Sequence, residues 1–183
     1  MLIARQKLNE NIAEYIVYMY QIEDLIRAYN FDIDEIIEHY VRPQLPDDSF
    51  LGQYREWYLD LIRKMKAQQI EKVGHLHDLT DILVELSFLH NTLLNMSDDA
   101  KYKNLFERAV PFIDEFKEKS NLKDKNHIEI AFHALYMKLL LRLRGKEISA
   151  ESEEAFDSMR IMLAFLAKSY HQMKSGDLTF FNN

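Results

Sequence analysis

Cysteine is absent from the 183 residues, and glycine and proline number only 4 and 3. Without cysteine there is no disulfide framework, no thiolate nucleophile and no Cys-ligated metal site. The glycines, at 52, 74, 145 and 176, lie too far apart to build a phosphate-binding loop. Serine does not occur in a Gly-x-Ser-x-Gly turn. Apolar runs are short, well below the roughly 18 residues a bilayer-spanning helix needs, so no membrane partner is expected. Positive charge is in deficit: the formal net charge is −7 and the pI about 5.5. That argues against nucleic acid, which is bound through clustered Lys and Arg. The opening residues, Met1 to Lys7, lack the apolar core and small-residue cleavage site of a secretory signal, and the expected compartment is the cytoplasm.

What is present is helical periodicity. With 48% apolar and 29% charged residues the chain has globular composition. Leu8, Ile12, Tyr15, Met19, Ile22, Ile26 and Tyr29 step by three and four, which keeps them within about 40° of one line along a helix. A period of two is nowhere sustained, so strands are not expected. The first helix is predicted over Arg5–Tyr29, with a stop and restart at Asn30-Phe31-Asp32 and a short helix to His39 capped by Asp32. Val41 to Ser49, with Pro43 and Pro46, reads as a surface connection. A third helix follows from Leu51, ending near Gly74, and a fourth carries Leu79, Ile82, Leu86, Leu89, Leu93 and Met96.

Ser97-Asp98-Asp99 ends the fourth helix and can cap a fifth, in which Pro111 predicts a kink or a fresh start. Asn126 with Glu129 forms a capping box for a sixth, apolar almost all round and therefore expected at the centre. Gly145 suits its C-terminal end, and Ser149 the N-cap of the last helix. The expectation is an all-α fold: one domain over residues 1–183, an antiparallel bundle of six or seven helices, with a short tail at 175–183 that carries Phe180 and Phe181.

Motifs for chemistry are sparse. The seven histidines include no Glu-x-x-His pair and no zincin pattern, and His75-Leu76-His77 lacks a third ligand. They read as exposed or capping residues; no metal, no cofactor and no catalytic residue is expected. The charges on the helix flanks are more informative. Glu23 lies about 60° and Arg27 about 100° off the first stripe, in the favourable acid-before-base order. Glu85 projects near the buried side of the fourth helix; Lys138 borders the stripe of the sixth and Arg142 lies in it. A buried guanidinium must be paired. Glu23, Arg27, Glu85, Lys138 and Arg142 therefore form the candidate set, either as ion pairs that fix helix register or as a pocket for a small anion. Ala13, Val17 and Tyr20 give the first helix a second apolar side, to be covered by a later helix or by a second subunit.

Glu10-Asn11-Ile12-Ala13-Glu14-Tyr15, Tyr18-Met19, Gln21, Glu23-Asp24 and Ile26-Arg27-Ala28 resemble the opening helix of a bacterial family known only as a domain of unknown function. Gly74-His75-Leu76, Ala134-Leu135-Tyr136, Leu140-Leu141-Arg142-Leu143 and Lys146-Glu147-Ile148-Ser149 resemble its later segments. The resemblance implies a bacterial origin and one full-length domain, and brings no activity or functional residue. The expected function is that of a non-catalytic binding or interaction module, with a protein partner or self-association as a homodimer. The alternative is a small-anion-binding protein or an enzyme with a polar pocket inside the bundle.

Overall fold

The computed structural model describes residues 2–97 and 99–177. Within them the chain is all-α, with eight α-helices: α1 Leu2–Glu10, α2 Ile12–Ala28, α3 Ile33–Ile36, α4 Leu51–Ala67, α5 His77–Asn95, α6 Ala100–Lys119, α7 His127–Leu143 and α8 Ala150–Ser175. The count exceeds the expected six or seven because the first long segment is two helices. Asn11 interrupts it with extended backbone, and its side chain accepts hydrogen bonds from the Ala13 and Glu14 amides. His171 Nε2, from α8, accepts the Ile12 amide at 3.1 Å. The apolar period runs unbroken across this joint, so periodicity alone does not reveal it.

Asn30 and Phe31, both with positive φ, turn the chain after α2, and Asp32 caps α3 through the amides of Asp34 and Glu35. A π-helical turn, Ile37–Val41, and two 3-10 turns, Arg42–Gln44 and Asp48–Phe50, occupy most of the connection that proline marks in the sequence. α4 ends at Ala67, earlier than Gly74, and residues 68–76 form a non-helical strap. Pro111 does not restart the helix; α6 runs continuously through it from Ala100 to Lys119. Pro111 and Glu107, whose carbonyl loses its amide donor, are both on the exposed face, where water can take over. Asp99, Ser149 and the reciprocal Asn126–Glu129 box cap α6, α8 and α7 as the sequence predicts. Phe180 and Phe181 lie outside the described residues.

The buried residues form one cluster that runs from Ala4 to Tyr170. α7 is central, packed against α2, α5, α6 and α8, and α8 reaches α2, α5, α6 and α7. The ion pairs of Lys138 and Arg142 with Glu153 and Asp157 show that α7 and α8 run antiparallel. No helix among the described residues is long and apolar enough to cross a membrane.

If Asn11 holds the α1–α2 joint, Asn11→Ala should cost about 1 kcal/mol, the usual worth of an N-cap. Thermal melts should then show a Tm lower by about 2–4 °C with an unchanged helical circular dichroism spectrum.

Candidate functional site

The five charged residues singled out in the sequence do not converge. They lie in three separate places, and each place follows from the helix that carries it.

The first is the contact between α2 and the strap. Glu23 has no solvent exposure. Its Oε1 accepts the Leu76 amide at 2.8 Å, and its Oε2 lies 2.6 Å from His75 Nδ1. Leu76 is the N-cap of α5, so the carboxylate also sits at the positive end of that helix. Glu23 and Arg27 do not pair with each other as their spacing suggests. Arg27 instead donates to Asp24 at 2.8 Å and, from the other edge of its fork, to the carbonyls of Ile70 and Gly74. Gly74 is required there: its φ is +102°, and a Cβ would stand 3.3 Å from Ile70 Cγ2. Tyr136 of α7 donates to Asp24 at 2.7 Å, which ties the third element into the cluster.

Rings complete this cluster. Tyr20 stacks on His75 with centroids 3.7 Å apart, and His133 lies 5.5 Å from both rings. Burial, with the charges of His75 and Lys125, lowers the His133 pKa to about 4 despite the opposing Glu129, so the ring is neutral at pH 7. The Tyr20 hydroxyl is buried without a hydrogen-bond partner. Tyr20, His75, His133 and Tyr136 did not emerge as site residues from the sequence. The signals were Tyr20 on the second side of the first helix, covered by α7 and the strap, and His75 and Tyr136 within segments that carry the family resemblance. His39 and His77 are exposed as expected, but His90 of α5 departs from that reading: it is buried against Tyr102, 2.7 Å from its hydroxyl. Burial and the nearby His127 lower the His90 pKa to about 4.

The second place is the α5–α8 contact. Glu85 accepts from the Tyr170 hydroxyl at 2.6 Å and from Lys174 at 2.7 Å. These bonds hold its carboxyl below the usual range. The third place is the α7–α8 seam. Lys138, buried along its stem, meets Glu153 at 2.6 Å and Asp157 at 3.4 Å. Arg142 shares Glu153 at 3.1 Å and Arg160 shares Asp157 at 3.1 Å. Arg142 is thus a paired surface residue, not the buried cation its position in the stripe suggested.

This seam borders a groove of about 530 Å³ between α2, α7 and α8. Ala13 and Val17 of α2, Leu135 and Leu139 of α7, and Leu163 and Ala164 of α8 are among the residues that line it. Lys7, Lys138, Arg142 and Arg160 stand at its polar edges, as do Glu14 and Asp157. At Ala13 and Val17 the second apolar side of α2 is therefore flanked by α7 and α8 but not filled by them. Among the described residues no three His, Asp or Glu side chains are grouped to hold a metal ion.

The chain belongs to the family described as a domain of unknown function (DUF4924), which it matches over residues 1–177. No curated protein and no solved structure matches it. Several segments that carry the family resemblance, Glu23-Asp24, Arg27, Gly74-His75-Leu76 and Tyr136, meet at the strap cluster.

Glu23→Ala should destabilise by about 3 kcal/mol, because it strands a buried amide and a histidine. Tyr20→Phe should leave Tm unchanged or slightly raised, since the hydroxyl it removes has no partner. Chemical denaturation of both variants checks the pair. Histidine also sets an acid limit. His90 and His133 titrate near 6.5 when unfolded and about 4 when folded, so between those values the unfolded chain binds more protons. Their contribution to stability is full above about pH 6.5 and is lost as pH falls toward 4. Melts at pH 7 and pH 5 should show a Tm several degrees lower in acid, and His90→Gln/His133→Gln should reduce that difference.

Proposed function

We propose that the chain acts by binding, without chemistry of its own, and that its ligand is taken into the groove between α2, α7 and α8. The observation that carries this reading is the combination in one concavity of an apolar lining from three helices and a charged edge on α7 and α8. Its volume of about 530 Å³ falls within the usual range for small-ligand sites, roughly 300–1,000 Å³. The polar cluster at Glu23 and Arg27 supports the same division of labour. Its charged groups are engaged in holding the strap, which leaves the α7–α8 seam as the part of the candidate set that borders open space.

A protein partner or a second copy of the chain is the second reading. It is favoured by Val84 and Phe88, exposed by 63% and 67% on neighbouring turns of α5. The lack of cysteine supports a cytoplasmic setting for either reading.

Native mass spectrometry of protein purified gently from its own host, beside Ala164→Trp, tests the proposal. Ala164 is exposed at the groove, so tryptophan there fills the site without disturbing the core. A stoichiometric small-molecule adduct that disappears in the variant is the expected result. An adduct that persists in Ala164→Trp removes the groove as the site. A dimer or a co-purifying protein without an adduct moves the assignment to the second reading.

A further inference from the structure

The charges beside the groove form a ladder along the α7–α8 seam: Arg142, Glu153, Lys138, Asp157, Arg160. Three cations share two carboxylates, so both ends of the ladder are positive and the seam carries an excess of one positive charge. The rest of the groove does not cancel it, because Lys7 and Glu14 pair with each other at 2.7 Å. In a chain of net charge −7 this is a local reversal of sign.

The terminal guanidinium groups are also incompletely used. Arg160 engages Asp157 only through Nε, which leaves both of its terminal nitrogens without a protein acceptor among the described residues. Arg142 engages Glu153 only through Nη2. Both side chains are more than half exposed, at 56% and 60%. Two adjacent free nitrogens of one guanidinium match the two oxygens of a carboxylate. On α8, Arg160 stands one turn from Leu163 and Ala164, and so joins the charged seam to the apolar lining.

Resting on the reading of the groove as a ligand site, we propose that its ligand is a single-chain amphiphile with a carboxylate head, the head bidentate on Arg160 and the hydrocarbon chain along Ala13, Val17, Leu135, Leu139, Leu163 and Ala164. A monoanionic head balances the one excess charge of the ladder, which a dianionic phosphate would overcompensate. The free guanidinium edge sets the specificity for the head, and the apolar lining sets a preference for chain length. Arg142, at the far end of the ladder, holds Glu153 and contributes at longer range.

The test is isothermal titration of the full chain with octanoate, decanoate and dodecanoate below their micellar concentrations, beside dodecyltrimethylammonium. The expected result is saturable 1:1 binding of the carboxylates, tightening by about two- to fourfold for each methylene that becomes buried. Dodecanoate should bind at least tenfold more tightly than the cationic amphiphile. Arg160→Gln should weaken dodecanoate about tenfold, Arg160→Lys should restore part of that loss, and Arg142→Gln should cost less than Arg160→Gln. Each variant is checked for an unchanged Tm, which exposed positions predict.

Equal or tighter binding of the cationic amphiphile, or carboxylate binding indifferent to both Arg160→Gln and Ala164→Trp, would overturn the proposal. If dodecanoate fails to bind while the host-derived adduct is still lost in Ala164→Trp, the ligand class falls and the groove stands. If the adduct persists in Ala164→Trp, the groove and the ligand class fall together.

Discussion

A carboxylate without solvent contact is the constraint around which one half of this bundle is organised. Glu23 sits on α2 among apolar neighbours, and a charge in that position is tolerated only when its oxygens are fully engaged. The amide of Leu76 and the ring of His75 engage them, and both belong to the strap between α4 and α5. Satisfying one buried group thereby places residues 68–76 across α2 and sets where α5 begins. Arg27, one turn on, fastens the same strap through two of its carbonyls, and the left-handed backbone at Gly74 lets the strap approach. Tyr20 then stacks under His75, and α7 closes the cluster with His133 and Tyr136.

Because α7 is shared, this packing has consequences on its other side. His133 and Tyr136 belong to the polar cluster with α2, whereas Leu135, Lys138, Leu139 and Arg142 turn toward α8 and the groove. A helix that serves two environments shows a weak amphipathic pattern, which is why α7 reads as apolar almost all round. The two environments handle charge differently. At the strap Glu23 and Arg27 hold backbone, and Asp24 holds Arg27 and Tyr136. At the α7–α8 seam Lys138 is buried, but the pairs at the two ends, through Arg142 and Arg160, are solvated and leave donors open. A solvated ion pair adds little to stability, so such a ladder is free to exchange part of its pairing for a ligand.

The family to which the chain belongs carries no assigned activity, so the functional argument rests on the site and not on the fold. A helical bundle is compatible with many roles. The groove joins an apolar lining with unfilled guanidinium donors, and that combination gives the binding reading chemical content.

Helicity, the caps at Asp32, Asn126 and Ser149, a cap within Ser97-Asp98-Asp99, the turn at Asn30-Phe31 and the central place of α7 were all legible in the sequence. Each depends on residues a few positions apart, whose geometry a helix fixes by itself. The joint at Asn11 was hidden within the helix expected over Arg5–Tyr29 because the apolar stripe crosses it without a phase change. Pro111 does not start a new helix because it falls on an exposed face, where water can satisfy the carbonyl it leaves without a donor. The sequence also marked Glu23, Arg27, Glu85, Lys138 and Arg142 as charges near apolar stripes, but it could not say which partners they meet. Glu23 finds His75, 52 positions away, and Tyr136 finds Asp24 across 112. Such pairings have no local periodicity to announce them. They exist only once the helices are packed, so tertiary structure alone decided that the five charges separate into three places and that a groove remains beside one of them.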